Sequence, residues 1–591
     1  MTNKKKNLVL GISNSHDAGV AIIHDGNVLA AINEERFNRK KNASGFPHLC
    51  IEKIWDIAGV SPHEITRVAV AGTALGAPPL NNDFSDDNGR YSFSQVLAEK
   101  IDLMPFGNTV LSSDITSSLY RKFIRMRMNT QFPEIVELIK AVGVDAPMEA
   151  IEHHDAHVAA AYYASGDASS LVISNDGFGD GMCAKVGLVE HSGEELKIIS
   201  NNVFFNSLGT YYNYVTHFCG FMKGHHAGKT TGLAAYGDAT KTIEIFRKLI
   251  EWDEKKGIYV NKGKLFRNCL YDVHNKLKGF SREDAAAGIQ QHLEDILVSM
   301  IKHYILKTGR NKVALVGGVH ANVKVNQRIA ALSEVDHVYV FPNMGDGGLA
   351  LGAAYLSWAK ANDWKVEPVG LSSTYLGPEF TEDEVVNSLA AADGIDWHKS
   401  DNIAKHVAEC LRDGKIVARF DGRMEYGPRA LGNRSILYTA ADKEVNQWLN
   451  KQLHRTEFMP FAPVIREEDA ADYFIGVNEK IRMATEFMTI TCDVTERCIK
   501  EAPAVVHVDN TARPQIISRG SNPDYYDILT EYKKLTGLSI LVNTSFNMHE
   551  EPIVCTPDDA IKAFLDSHLD VLAIGPFSVK NVNKAIVAAS A

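Results

Sequence analysis

The chain has 591 residues, and 62 Lys and Arg against 73 Asp and Glu give a net charge of −11 at neutral pH. Hydrophobic residues make up 45% and charged residues 23%, which is ordinary for a folded protein and excludes global disorder and fibrous repeats. The acidic balance argues against a nucleic-acid partner, because phosphate contacts need Lys and Arg. No apolar run approaches the ~18–20 residues that cross a bilayer, so no membrane partner is predicted.

The cysteines and the N-terminus indicate the compartment. The eight cysteines are scattered and form no C-x-x-C pair, so we expect reduced thiols. The basic start, residues 1–6, is followed by an apolar stretch that is too short for a signal peptide. The sequence therefore predicts a cytoplasmic, enzyme-sized chain.

Two similar patterns open the two parts of the N-terminal half. Residues 7–12 read as a strand, a polar turn with His16 and Asp17 follows, and residues 19–23 and 28–32 read as strands around Asp25-Gly26. The pattern returns as strand 171–174, a polar turn at 176–181 and strand 182–189. The repetition predicts an internal duplication. His16 in the first turn is a candidate general base, because the pKa of histidine lies near neutral pH.

A histidine pair marks a candidate metal site. Residues 152–163 favour a helix that places His153 and His157 at i and i+4 on one face, close enough to share an ion. Such a pair is more often structural, but Asp176 and Asp346 in glycine-rich turns favour a metal. Two His and two carboxylates suit Fe(II), Mn(II) or Zn(II). Asp180 is interpreted as part of a plain hairpin turn.

Residues 285–360 predict alternating helices and strands. Apolar residues from 289 to 304 recur on one helix face, and strand 313–316, helix 322–332 and strand 337–340 follow. The turns Gly317-Gly318 and 345–348 open helices, and such junctions bind nucleotides and phosphates in α/β proteins. Asn322 and Asn326 are candidate nucleotide contacts. Residues 228–232, Gly-Lys-Thr-Thr-Gly, resemble the end of a P-loop but lack its first glycine, so only Lys229 remains a candidate.

A change of composition near residues 360–375 predicts a linker between domains 1–362 and 375–591. The second domain contains strand-like segments 416–420 and 538–542. Residues 422–435 carry three arginines between Gly and Pro, either as a solvated loop or as an anion site, because guanidinium forks match phosphate oxygens. Segments 454–463, 507–515 and 543–547 have the same polar and aromatic character.

Together these segments resemble the O-carbamoyltransferases of antibiotic, toxin and nodulation-factor biosynthesis over nearly the whole chain. The motifs that carry the resemblance are Gly11-Ile12 with His16-Asp17, Glu34-Glu35-Arg36-Phe37, Glu152-His153-His154 with His157, Asp176-Gly177, Gly232-Leu233-Ala234-Ala235-Tyr236-Gly237, Gly317-Gly318-Val319, Gly422 to Ser435, Pro460-Phe461-Ala462-Pro463 and Asn543-Thr544-Ser545-Phe546-Asn547.

The resemblance implies an α/β protein of two domains. The N-terminal domain would be actin/hexokinase-like, built from two ribonuclease-H-like halves and similar to the tRNA threonylcarbamoyl-transfer protein. The C-terminal domain would be similar to threonylcarbamoyl-AMP synthase. It would make carbamoyl adenylate from carbamoyl phosphate and ATP, and the N-terminal domain would pass the carbamoyl group to a hydroxyl of a small natural product.

The resemblance also implies roles for individual residues. A divalent metal, Fe(II) favoured over Mn(II) or Zn(II), would bind in the N-terminal domain, and Mg would accompany ATP. His454 stands where a lysine is expected. The implied metal ligands are His153, His157, Asp176 and Asp346, the base is His16, the nucleotide contacts are Lys229, Gly317, Gly318, Asn322 and Asn326, and the contacts to carbamoyl phosphate or ATP are Arg429, His454, Arg455, Arg513, Ser545 and Asn547.

Other interpretations remain open. An actin-fold kinase or ATPase acting on a small hydroxylated metabolite would need no second, carbamoyl-activating domain. A tRNA-modifying or nucleotide-sensing partner protein is another class, and the net charge disfavours its tRNA-modifying version. The sequence does not identify the acceptor alcohol, although residues 75–135 could shape the pocket that binds it. The sequence also leaves the oligomeric state open and is compatible with a homodimer.

Overall fold

The computed structural model describes residues 7–72, 100, 102, 132–191, 193–444 and 461–582. The chain forms two compact units: the first comprises Met1–Leu29 and Ser44–Leu371, and the second comprises Ala30–Ala43 and Ser372–Ala591. His454, Arg455 and most of region 75–135 lie outside the described residues. Among the helices of the described part, none combines the length and apolarity needed to cross a membrane.

The first unit contains two five-stranded sheets with the same strand order. In the first sheet, β1 pairs antiparallel with β2 and parallel with β4, and β4 pairs parallel with β5, in the order β3-β2-β1-β4-β5. The bounds are β1 Leu8–Ser13, β2 Gly19–His24, β3 Asn27–Asn33, β4 Arg67–Ala71 and β5 Met148–Ile151.

The second sheet has the order β8-β7-β6-β11-β12, again three strands of a meander followed by two parallel strands. The bounds are β6 Leu171–Gly179, β7 Met182–Leu188, β8 Lys197–Val203, the separate hairpin β9 Ile250–Asp253 and β10 Ile258–Asn261, β11 Lys312–Val316 and β12 His337–Val340. The shared order confirms the predicted duplication of a ribonuclease-H-like topology.

Helices of the first unit pack between and around these sheets. Gly352 lets two of them touch, because a Cβ there would lie 1.9 Å from the Ala156 carbonyl oxygen. This close approach brings the start of helix Leu349–Ala361 beside helix His153–Ser165. The helices are His48–Ala58, His153–Ser165, Leu208–Phe218, Ala227–Ala234, Ile243–Leu249, Phe266–Leu277, Arg282–Thr308, Val323–Ala330 and Leu349–Ala361, with a further helix over 132–141.

The second unit is built on a mixed eight-stranded sheet in the order β13-β22-β21-β14-β15-β20-β16-β19. The bounds are β13 Ile395–Lys399, β14 Val417–Phe420, β15 Arg434–Thr439, β16 Ala462–Arg466, the separate pair β17 Cys492–Asp493 and β18 Thr511–Ala512, β19 Gln515–Ile517, β20 Ile540–Ser545, β21 Val571–Ile574 and β22 Phe577–Asn581.

Helices Ile403–Arg412 and Pro523–Thr536 are amphipathic and pack on this sheet. They bury Val407, Leu411 and Leu529 against Leu437 and Leu541 of the strands. Removing such side chains from water supplies the main stabilisation of the unit. The helices of the second unit are Glu35–Asn38, Glu382–Ala391, Ile403–Arg412, Ala470–Tyr473, Arg482–Glu486, Glu496–Glu501, Pro523–Thr536 and Pro557–Asp566.

The α/β class predicted from the sequence is confirmed, and most differences lie at element ends. The turn predicted at 176–181 is shorter, because β6 continues through Asp176 to Gly179 with a register shift after Asn175. The helix predicted at 322–332 spans Val323–Ala330, and Asn322 is its N-cap. The side-chain oxygen of Asn322 accepts from the Val325 amide, which is the ordinary way to satisfy a free N–H at a helix start.

Candidate functional site

The four predicted metal ligands converge in the first unit. His153 and His157 lie on one face of helix His153–Ser165, Asp176 lies on β6, and Asp346 begins the turn before helix Leu349–Ala361. One ligand atom from each residue lies within 4.8 Å of the other three. The helix brings His153 and His157 together by their spacing, whereas the fold adds Asp176 and Asp346 from distant parts of the chain.

The distances between the ligand atoms fit a shared cation. The Nε2 atom of His153 lies 3.3 Å from Asp176 Oδ2 and 3.5 Å from Asp346 Oδ1, and His157 Nε2 lies 3.8 Å and 3.5 Å from the same two atoms. Metal–ligand bonds of ~2.1 Å in a tetrahedron separate neighbouring ligand atoms by about 3.4 Å. The buried His157 Nε2 has no hydrogen-bond partner in the described structure, which also fits a ligand position.

Burial and neighbouring charges shift the pKa values of the ligand groups. Burial opposes ionisation of Asp176, but the hydrogen bond to His153 and the nearby His157 ring outweigh it and hold the pKa of Asp176 well below its usual value. Burial likewise lowers the pKa of His153, yet the charges of Asp346 and Asp176 raise it to about 10. The histidine proton therefore supplies the counter-charge that a divalent cation would supply instead.

Residues that the sequence analysis missed fix the helix that carries both histidines. Asp180 is more than a plain turn residue, because its Oδ2 accepts a 2.8 Å hydrogen bond from the His153 amide. Glu152 caps the same helix by accepting from the Asp155 amide. Lys185 on β7 joins Glu152 and Asp155 at 2.6 Å and 2.7 Å. The carboxylates of Glu152 and Asp155, which flank the two histidines 153 and 154, were the sequence signal for this network.

The predicted base His16 lies in the turn between β1 and β2. Its Nδ1 atom lies 3.1 Å from Asp17 Oδ2, and its side chain is 41% exposed. The hydrogen bond to Asp17, with smaller contributions from Asp346 and Asp176, raises the pKa of His16 to about 9 against the effect of burial. Because Asp17 holds Nδ1, Nε2 is the nitrogen that can accept a proton once His16 is neutral.

The Gly317-Gly318 turn packs directly on the strand that carries Asp176. Gly317 has φ 95°, and a Cβ there would lie 2.0 Å from the Asn175 carbonyl oxygen, so only glycine fits. The Gly318 amide donates a 3.0 Å hydrogen bond to Asp176 Oδ1. This turn therefore orients the second carboxylate oxygen of Asp176 toward His153.

Buried polar contacts hold the helix after this turn. Asn322 Nδ2 donates to Gln290 Oε1, and both amide atoms of Asn326 bond to His320. These contacts give Asn322 and Asn326 structural partners. Lys229 is buried at the start of helix Ala227–Ala234. Nucleotide binding by these residues stays a prediction.

In the second unit, two arginines have no counter-charge among the residues that the structure describes. Neither Arg429 nor Arg513 forms an ion pair or hydrogen bond with any described residue, and Arg429 Nε is fully buried. Burial lowers the pKa of Arg429 to about 10, and burial together with the Arg429 charge lowers that of Arg513 well below its usual value. Guanidinium groups match the oxygens of phosphate, and the predicted contact of these two residues with an anion stays a prediction.

Ser545 and Asn547 lie near one another in sequence at the end of β20. Ser545 pairs in register with Ser435 on β15. Asn547 Nδ2 donates to the carbonyls of Met548 and Glu551, so it shapes the turn after β20. Their predicted contacts to carbamoyl phosphate stay predictions.

Comparison with known proteins adds an independent result. The family model described as carbamoyltransferase N-terminus matches residues 8–355, and the one described as carbamoyltransferase C-terminus matches residues 408–581. An uncharacterised protein of Synechocystis is 30% identical over 96% of each chain. Nodulation protein NolNO of Sinorhizobium fredii is 30% identical over 96% of this chain and 79% of its own length.

Solved structures are more distant. Full-length HypF in its phosphate- and nucleotide-bound form aligns with 60% of this chain and 56% of its own at 14% identity and a TM-score of 0.29. That level of similarity supports no conclusion. The two family models together cover most of the described residues and both units, so the chain belongs to the carbamoyltransferase family and is an enzyme of carbamoyl transfer.

Proposed function

We propose that the second unit makes carbamoyl adenylate from carbamoyl phosphate and ATP, and that the first unit transfers the carbamoyl group to a hydroxyl of a small natural product. The observation that supports this proposal is that Arg429 and Arg513 have no ion-pair or hydrogen-bond partner among the described residues. Both side chains are only partly exposed, and a positive charge withdrawn from water without a partner is costly. Phosphate-bearing substrates would supply the missing negative charge.

The chemistry of the first step is balanced by one water molecule. Carbamoyl phosphate and water give carbamate and phosphate, and a carbamate oxygen then displaces pyrophosphate from the α-phosphorus of ATP. Arg429 and Arg513 would neutralise the phosphate oxygens in both reactions. Mg would accompany ATP.

The second step would use the histidine and aspartate cluster of the first unit. When bound there, a divalent cation, with Fe(II) favoured over Mn(II) and Zn(II), would supply Lewis-acid polarisation of the carbamoyl carbonyl or phosphate. His153, His157, Asp176 and Asp346 would hold it. His16 would take the proton of the acceptor hydroxyl on Nε2 as that oxygen attacks the carbamoyl carbon, and AMP would leave.

The products of the full-length protein test the proposal. Incubation with ATP and carbamoyl phosphate should release pyrophosphate, and addition of an acceptor should release AMP. Formation of ADP alone would instead establish the kinase alternative. A screen of hydroxylated natural products, read by the mass gain of one carbamoyl group, would identify the acceptor.

Two sets of variants test the division of labour between the units. His153→Ala and His157→Ala should abolish transfer and leave pyrophosphate release intact, whereas exposed His63→Ala should change neither step. Arg429→Ala should block pyrophosphate release, and exposed Arg412→Ala is its control. Loss of both steps in the histidine variants, or normal pyrophosphate release in Arg429→Ala, would contradict the assignment.

A further inference from the structure

A short N-terminal segment belongs to the second unit. Residues Ala30–Ala43 cluster with Ser372–Ala591 although they are far away in sequence. The segment contains the four-residue helix Glu35–Asn38, which carries Arg36, and ends that helix at Arg39. Neither arginine is part of the site described above.

Arg36 contacts the loop that carries Arg429. Its side chain is only 6% exposed, and Nη2 donates a 2.8 Å hydrogen bond to the Gly427 carbonyl. The buried Glu425 holds the other end of that loop, because its Oε1 accepts three backbone hydrogen bonds of 3.1 Å or less. The three donors are the amides of Leu431, Asn433 and Arg434. The backbone on both sides of Arg429 is therefore held by buried, charge-assisted hydrogen bonds.

Arg39 contacts the turn that follows β20. Its Nη1 and Nη2 atoms donate 2.7 Å hydrogen bonds to the carbonyls of Ile553 and Pro552. The amide of Val554 in turn bonds to the Phe546 carbonyl, and the Phe546 amide bonds to the Arg434 carbonyl. The turn after Ser545 and the Arg429 loop are thus joined to each other.

The positive charges of Arg429 and Arg513 repel each other, which lowers the pKa of Arg513 beyond the effect of burial. A flexible loop would relieve that repulsion by moving Arg429 away and would have to be reordered on binding. The contacts of Arg36 and Arg39 oppose this movement, because each fixes backbone carbonyls of a loop beside the site. Their guanidinium groups donate to backbone carbonyls of the protein itself.

We propose that Arg36 and Arg39 are positioning residues that preorganise the anion site of the second unit, a role that rests on the proposed function of that site. They act through the backbone of residues 427–434 and 546–554 and touch no substrate. The N-terminal segment thus holds the two loops in place, and carbamoyl phosphate binds to guanidinium groups that are already positioned.

Kinetics of the full-length protein test this role. In Arg36→Lys and Arg39→Lys, lysine keeps the charge but cannot reproduce the guanidinium contacts. We expect the KM for carbamoyl phosphate in pyrophosphate release to rise roughly tenfold in Arg36→Lys. Arg412→Lys, an exposed arginine of the same unit, should not change it. A merely structural role would reduce the active fraction, so kcat would fall at constant KM, and that outcome would overturn the proposal.

Two measurements that need no turnover separate this proposal from the proposed function. Hydrogen exchange at the amides of Leu431 and Asn433 should accelerate in Arg36→Lys, and exchange at Val554 should accelerate in Arg39→Lys. Calorimetry with inorganic phosphate should show weaker binding in both variants. If the wild type released no pyrophosphate, the proposed function would fail. These two measurements would still test whether Arg36 and Arg39 position the two loops. Unchanged exchange and unchanged phosphate affinity would refute this positioning role.

Discussion

The buried ion pairs of Lys185 allow a sharp test of how the metal-site helix is held. The ammonium group lies 2.6 Å from Glu152 and 2.7 Å from Asp155, and the side chain of Lys185 is only 9% exposed. Lys185→Met would leave the Glu152 carboxylate, itself 15% exposed, without its counter-charge. Loss of one partner from such a buried pair costs about 3–5 kcal/mol. The helix start that presents His153 should loosen with it.

Lys197→Met is the matched control. Lys197 and Glu190 form a 2.8 Å ion pair, but their side chains are 58% and 52% exposed. Solvent screens that pair, so its loss should cost about 0–1 kcal/mol. Urea midpoints of the full-length proteins, followed by fluorescence, give the comparison. An equal effect of the two substitutions would refute the reasoning from burial.

The effect of Lys185→Met should grow with pH. Burial raises the pKa of Glu152 to about 7, although Lys185 opposes the shift. A carboxyl whose folded pKa exceeds the unfolded value of 4.5 loses stability as pH rises from 4.5 through 7, because the folded state must release its proton. Without Lys185 the pKa rises further, so the penalty should be small at pH 5 and large at pH 8. Adding Glu152→Gln to the variant should recover part of the loss.

Three further predictions concern other buried groups. Burial lowers the pKa of His320 to about 4, so this residue should destabilise the fold by up to about 3 kcal/mol as pH falls from 6.5 to 4. In His320→Gln the urea midpoint should therefore fall less between pH 6.5 and pH 4 than in the wild type. Parallel plots of urea midpoint against pH for the two proteins would contradict this. Gly432→Ala should cost more than about 2 kcal/mol, because φ is 119° and the new Cβ would lie 2.3 Å from Tyr525; the open position Gly414→Ala should cost about 1 kcal/mol in the same urea measurement. Saturating Mn(II) or Zn(II) should raise the melting temperature of chelator-treated protein, since a free metal concentration of 100 times Kd stabilises the fold by about 2.7 kcal/mol. An equal rise in melting temperature in His157→Ala would exclude the proposed site.

Local patterns were sufficient for the elements and for the identity of the metal-site candidates. The i, i+4 spacing of His153 and His157 places both on one helix face wherever that helix lies, because 3.6 residues make a turn. The repeated hairpins likewise predicted an internal duplication, since strand alternation and Asp-Gly turns are local properties, and the structure shows it as two sheets of the same strand order. The resemblance of the motifs predicted the family, which the family models show.

Contacts across long stretches of chain could not be derived in this way. That Asp346 meets His153, that Asp180 caps the His153 helix and that Arg36 holds the Gly427 carbonyl all depend on how distant elements pack. That Arg429 and Arg513 have no partner among the described residues also emerges only from the structure, because the sequence of an arginine-rich loop does not say whether solvent or protein surrounds it. Sequence determined which chemical groups this protein possesses and on which elements they lie. Tertiary packing decided which of them share a buried, low-dielectric space, and charge interactions are strong only there.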